Sequence, residues 1–206
     1  MKKIVIGIIV VLMNITCTSV HRLENSIQGI SEKILRFHVL ANSDSKEDQN
    51  VKLKVRDGVG IYVENLLKES KCRKDTEKIL NQNMDTIVEK ANEILAENKM
   101  TYHASAKIAQ VDFPDKSYGK YTFPAGNYRA LQIRLGEAKG HNWWCVLYPN
   151  LCFRGTMYEE VDEQADEKLK EVLSAQEYKD IIESGEFEIR FKFLEPVIKV
   201  IRGDKR

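Results

Sequence analysis

This sequence has no run of the roughly 20 apolar residues that a helix needs to cross a bilayer core. Its longest apolar stretch, Ile4 to Ile15, is interrupted by Gly7 and Asn14 and preceded by Lys2 and Lys3. A short apolar core behind a basic start is the pattern of a secretory signal, so residues 1–19 are expected to direct export. Small side chains at Cys17 and Ser19 suit cleavage after Ser19. An uncleaved anchor, or lipidation at Cys17 despite the poor flanks Asn14 and Thr16, are the alternatives, and both leave the remainder outside the membrane.

A surplus of charge is also missing. Only Lys2 and Lys3 of the 32 basic residues lie in the leader, leaving 30 against 31 acidic residues. Such a balance gives no electrostatic footprint for nucleic acid. There is no internal repeat and no low-complexity tract, and 43% hydrophobic content argues against disorder. Four cysteines and four histidines are scattered without zinc spacing. His-Glu-x-x-His, Gly-x-Ser-x-Gly, a phosphate loop and repeated Cys-x-x-Cys are all absent, so hydrolysis by zinc, serine acyl transfer and nucleotide chemistry lack their marks. No cofactor and no metal is expected.

What remains after the leader, about 185 residues, is the size of one domain. Residues 20–32 read as a polar lead-in to a single α+β domain over 33–206. Leu35, Phe37 and Val39 alternate with Ile34, Arg36 and His38, a period of two that predicts a strand over Lys33 to Leu40 with one apolar and one mixed face. Ala41 to Ser45 is a turn cluster, and Asp44 with Glu47 forms a capping-box-like helix start. Val51, Val55, Val59, Tyr62 and Leu66 share one stripe, predicting a helix from Ser45 to Lys68. Gly58 and Gly60 each weaken that helix by about 1 kcal/mol, for which close approach to a neighbour would be the return.

After a charged break, Ile79, Leu80, Met84, Ile87, Ala91 and Leu95 predict a second helix, Asp75 to Asn98. Strands follow at Ser105–Asp112, Tyr118–Phe123, Tyr128–Leu135 and Trp143–Leu147. Their turns fall at Pro114, at Pro124 to Asn127 and at Gly136 to Gly140. Glu159 to Ser184 returns to helix, broken near Ser174, and Gly185 ends it. Phe187 to Phe193 alternates again, and Val197 to Ile201 adds a short strand. Hairpin-connected strands with segregated helices predict a mixed, mostly antiparallel sheet with helices packed on one face.

Two clusters could carry chemistry. In the first, His141, Asn142, Trp143, Trp144 and Cys145 precede a Tyr-Pro-Asn turn and Cys152. Cys145 and Cys152 would form a disulfide worth roughly 2.5 kcal/mol by loop entropy, or remain buried thiols; Cys72 is odd and expected free. Cys145 as a nucleophile with His141 as base is the sharper alternative. Residues four apart on a strand lie about 13 Å apart, so that pair could meet only through a loop. Trp143 and Trp144 should point to opposite faces, one into the core and one toward a partner. The second cluster is His38, Asn42, Ser43 and Asp44 at a strand-to-helix junction, where free N–H groups attract ligands. Asp44 reads there as an N-cap or as part of a site, and His38 as satisfied structure or as a ligand. His21 and His103 stand isolated and read as solvated.

The run Arg36-Phe37-His38-Val39-Leu40-Ala41-Asn42-Ser43-Asp44-Ser45, continuing through Gln49, Lys52 and Asp57, and the cluster Gly140 to Cys145 together resemble the stage II sporulation protein R family. The Phe123-Pro124-Ala125-Gly126 turn and the spacing fit as well. The resemblance spans about Ile34 to Phe153, and Asn150 stands where the family often carries proline. It implies a protein made in the forespore and exported between the two septal membranes. There it would activate a membrane-embedded aspartic protease of the mother cell, which processes a pro-sigma factor. The implied protein is a non-catalytic ligand whose contact candidates are His38, Asn42, Asp44, His141, Asn142, Trp143 and Trp144. An exported cell-wall or peptide hydrolase using Cys145 with His141, or His38 with Asp44, is the rival class. A structural septal protein is the third.

Overall fold

The computed structural model describes residues 18, 21–22, 24–149, 151 and 163–182. The expected leader apart from Thr18, Cys152, and the strands expected at Phe187–Phe193 and Val197–Ile201 lie outside the described residues.

The stretch read as a polar lead-in is helical over residues 24–33 (α1). Its sparse apolar pattern hid a packed face: Ser26, Ile30 and Ser31 are buried. Polar pairs to a C-terminal helix at residues 175–182 fasten it, with Lys33 2.5 Å from Glu177 and Ser26 hydrogen-bonded to Asp180. The first strand is β1, Leu35–Leu40, and the following helix α2 spans Lys46–Leu66. Ser45, not Asp44, caps α2, its side chain accepting from the Asp48 N–H at 3.1 Å. The long second helix is instead two, α3 Arg73–Gln82 and α4 Met84–Glu97. Asn83 separates them with φ −113° and ψ 13°, and its side chain turns back to accept from Tyr62.

Then come β2 Ala104–Phe113, β3 Lys116–Tyr118, β4 Tyr121–Phe123, β5 Gly126–Leu135 and β6 Asn142–Tyr148. The single strand expected at Tyr118–Phe123 is thus the hairpin β3–β4, because Gly119 takes φ 56° and reverses the chain. The last described helices are α5 Glu163–Val172 and the C-terminal helix, α6, separated near Ser174 as the sequence indicated.

The architecture is α+β, as expected. The main sheet has the order β2-β5-β1-β6; β1 is parallel to β5 and antiparallel to β6, and β2 is antiparallel to β5. The registers place Phe37, Val39, Leu131, Ile133, Trp143 and Cys145 on one face. Against it pack the buried stripes of α2 (Val51, Val55, Val59, Val63) and α4 (Ile87, Ala91, Leu95). Gly58 lets these helices meet: a Cβ there would lie 2.5 Å from Ile94 Cδ1.

The other face carries Arg36 and His38, and it is not the half-solvated surface that their polarity suggests. Both side chains are buried. The Arg36 guanidinium lies 4.4 Å from the Phe113 ring centre and 5.1 Å from that of Tyr128. The β3–β4 hairpin adds Tyr118 and Phe123 to this aromatic enclosure. Arg36 Nε donates to Cys145 O at 3.1 Å and Nη2 to Tyr118 Oη at 3.2 Å. Ring faces attract a desolvated cation by about 2 kcal/mol, which offsets part of the burial that pushes its pKa down.

Candidate functional site

Because β5 and β6 flank β1 on opposite sides, residues 136–141 must cross the end of β1. They cross where residues 41–45 leave the sheet for α2. The two loops are laced by backbone bonds from Gly140 N to Ala41 O (3.0 Å) and from Lys139 N to Asn42 O (3.1 Å). Asn42 Oδ1 accepts from Glu137 N at 3.0 Å. Gly140 is required by contact, since a Cβ there would sit 2.1 Å from Ser43 O.

Beneath the crossing, Asp48 gathers the polar groups. One oxygen accepts from Asn42 Nδ2 (2.9 Å) and Ser43 Oγ (2.5 Å), the other from Tyr102 Oη (2.5 Å). Burial pushes its carboxyl up, but the bonds from Ser43, Tyr102, Asn42 and Ser45 outweigh burial and hold it below the ordinary range. Lys52 Nζ donates to Gln49 Oε1 (2.6 Å) and to His141 O (3.1 Å), and its burial lowers its pKa. Gln49 Nε2 in turn donates to Ser43 O at 2.9 Å.

On top of this base stands an outward-facing pair. Asp44 Oδ1 accepts from His141 N at 2.6 Å and meets His141 Nδ1 at 2.5 Å. The side chains are 56% and 83% exposed, so both remain available to a partner. The backbone bond from His141, followed by its ring, holds the Asp44 carboxyl below its usual range.

The seven sequence candidates therefore regroup. Asn42, Asp44 and His141 come together. Asn142 opens β6 opposite Leu40. Trp143 faces the helices, edge-on to Phe37 at 5.8 Å with Arg56 over its ring. Trp144 lies on the opposite face, stacked on His38 at 5.0 Å. His38 is 1% exposed and neither ring nitrogen has a hydrogen-bond partner. Burial first, then Arg134 and Arg36, push its pKa down to about 4, which keeps it neutral.

Neither hydrolase pairing is assembled. Cys145 is 1% exposed on the Phe37 face, while the His141 ring is committed to Asp44. His38 has no bond to Asp44. Among the described residues no group of three or more His, Cys, Asp or Glu side chains is placed to hold a metal ion, and no described helix is long and apolar enough to cross a membrane. Cys72 is exposed and free, as expected. Sequence reasoning did not single out Asp48 or Tyr102, and it named Lys52 only as part of the family resemblance. Asp48 reads as an ordinary first-turn acid, and Tyr102 lies 54 positions away from it.

The profile of the family described as Stage II sporulation protein R matches residues 31–158, a span holding every site residue above. A curated relative of that name from Bacillus subtilis (strain 168) is 32% identical over 164 residues, covering 79% of this chain and 73% of the relative. No solved structure matches. The matched span runs from the buried end of α1 across the whole four-stranded sheet, and on that basis the chain belongs to the stage II sporulation protein R family.

Proposed function

We propose that this chain is an exported sporulation signal that acts by binding, not by catalysis. Family membership supports the sporulation signalling role. In the finer reading, the protein leaves the forespore for the space between the septal membranes. There it activates a membrane-embedded aspartic protease of the mother cell, and a pro-sigma factor is processed. The observation that carries the ligand reading is the Asp44–His141 pair: two exposed polar side chains held in one geometry by the Asn42, Asp48 and Lys52 network. A preorganised surface loses little conformational freedom on binding. A ligand activates by binding the active state of its target more tightly, and each tenfold preference is worth about 1.4 kcal/mol.

The Cys145–Cys152 disulfide belongs to the same proposal. Leu151 N donates to Val146 O at 3.2 Å, so the chain after β6 doubles back along it just before Cys152. A bond there would anchor the end of the strand that carries both tryptophans, in a compartment that permits disulfides.

The test is reconstitution of the full chain with the membrane protease and its pro-sigma substrate alone. Processing that depends on the added chain supports the proposal. Absence of processing with both partners folded, or turnover of a cell-wall or peptide substrate by this chain by itself, overturns it.

A further inference from the structure

Among the described residues the sheet ends on one side at β2, a ten-residue strand paired to β5 without a bulge from Ala104 to Phe113. Such a strand is about 33 Å long. Among the described residues no strand lies on its outer side. Two bonds fix which backbone groups face outward. His103 O accepts from Gly136 N on the β5 side, and Ala104 N donates outward to Asn92 Oδ1 at 2.8 Å. By the alternation of an antiparallel ladder, Ala106, Ile108, Gln110 and Asp112 direct both N–H and C=O away from β5. A long, regular edge without proline is a template for another strand, and proteins usually blunt one. Here the only charged side chains along it are Lys107 and Asp112.

Beside this edge an open cavity of about 330 Å³ lies between α1 and α3. Its wall includes Gln110 and Arg129, which are cross-strand neighbours, and Arg73, Lys74 and Glu77 from α3. Glu77 is saturated by the two arginines, with Arg73 Nη1 at 2.6 Å and Arg129 Nη2 at 2.9 Å. With Glu32, two carboxylates face three cations, and Arg73 Nε is buried without a partner. The cavity thus has donor capacity and positive charge left over. A residue paired opposite Gln110 would project its side chain from the same face of the sheet, roughly 5 Å from Gln110, at the mouth of the cavity.

We propose that the β2 edge captures an extended segment of a partner protein as an added strand, with an acidic side chain of that segment entering the Arg73–Lys74–Arg129 cavity. Main-chain pairing supplies affinity and the cavity supplies selectivity. The surface is separate from the Asp44–His141 pair, so the proposal stands or falls independently of the activation reading.

The experiment uses the 15N-labelled full chain and a short capped peptide of alternating threonine and valine with one central glutamate. The amides of Ala106, Ile108, Gln110 and Asp112 should shift and gain exchange protection. Replacing the peptide's glutamate by glutamine should weaken binding about three- to tenfold, since one charge-assisted contact is lost. Ile108→Pro should abolish binding, because it removes an outward donor and leaves the β5 ladder intact. Arg73→Gln should erase the glutamate preference, an outcome that needs no change in the strand. Shifts absent or confined elsewhere would overturn the proposal, as would equal binding of both peptides. Concentration-dependent dimerisation of the chain that Ile108→Pro removes would also overturn it, by assigning the edge to a second copy.

Discussion

Replacing Asp48 by asparagine should loosen the base under the Asp44–His141 pair while barely changing side-chain volume. The amide keeps one acceptor oxygen and turns the other into a donor. Turned toward Asn42, the new amide nitrogen confronts the Asn42 donor; turned toward Tyr102, it forces that hydroxyl to accept, and either way the bonds to a carboxylate become bonds to a neutral group. Asn42 Nδ2 and Ser43 Oγ share one carboxylate oxygen, and Tyr102 Oη takes the other. Hydrogen bonds to charged groups contribute about 1.5–3 kcal/mol each. Losing one or two, less what the loops regain by relaxing, gives a cost of about 3 kcal/mol. For a domain of this size that lowers Tm by about 6–12 °C. The pH dependence follows from the depressed carboxyl pKa. A carboxylate lowered in the folded state stabilises above its unfolded pKa, and that stability is lost as pH falls through the folded value. The Tm gap between wild type and Asp48→Asn should therefore be widest at neutral pH and begin to narrow as pH falls below about 4. Circular dichroism melts at pH 7, 5 and 3 read it directly. A gap under about 2 °C at pH 7, or one that persists unchanged in acid, would show that the Asp48 carboxylate does not hold the two loops.

Other outcomes follow from the same geometry. His38→Phe should stabilise by about 1–2 kcal/mol at pH 7 in urea titrations, because it removes a buried ring whose nitrogens have no partner. The depressed His38 pKa makes wild-type stability full above pH 6.5 and declining toward about pH 4, and the variant should lack that decline. Gly140→Ala should cost about 2 kcal/mol or more, since its Cβ would strike backbone, Ser43 O, and the His141 amide resonance should move with it. Trp143→Ala should cost about 3–5 kcal/mol in chemical unfolding as a core deletion. Trp144→Ala should cost less, about 1–2 kcal/mol, because its ring is partly exposed and rests on the outer side of His38 and Phe113.

The parts of the fold carried by local periodicity were legible. The valine stripe of α2 and the strand at Leu35–Leu40 emerge from spacing, and the turn from Gly136 to Gly140 from its glycines. The failures are tertiary. The helix of residues 24–33 looks polar because its contacts are with a segment about 150 positions away, as at Lys33 and Glu177. Arg36 and His38 suggested a mixed face, yet a hairpin of aromatic residues closes over Arg36. The site was half visible: Asp44 and His141 were named in separate clusters, but only the crossing of residues 136–141 over β1 joins them. Asp48 was hidden because its partners Asn42 and Tyr102 meet it only in the folded chain.

On the proposed reading, the exposed Asp44–His141 pair contacts a partner and does not hold the fold together. This is tested most directly by Asp44→Ala combined with His141→Ala in the reconstituted protease system. The unfolding midpoint should stay like that of wild type, and pro-sigma processing should fall about tenfold or more, as expected of a contact hot spot. Full processing by the folded double variant would contradict it.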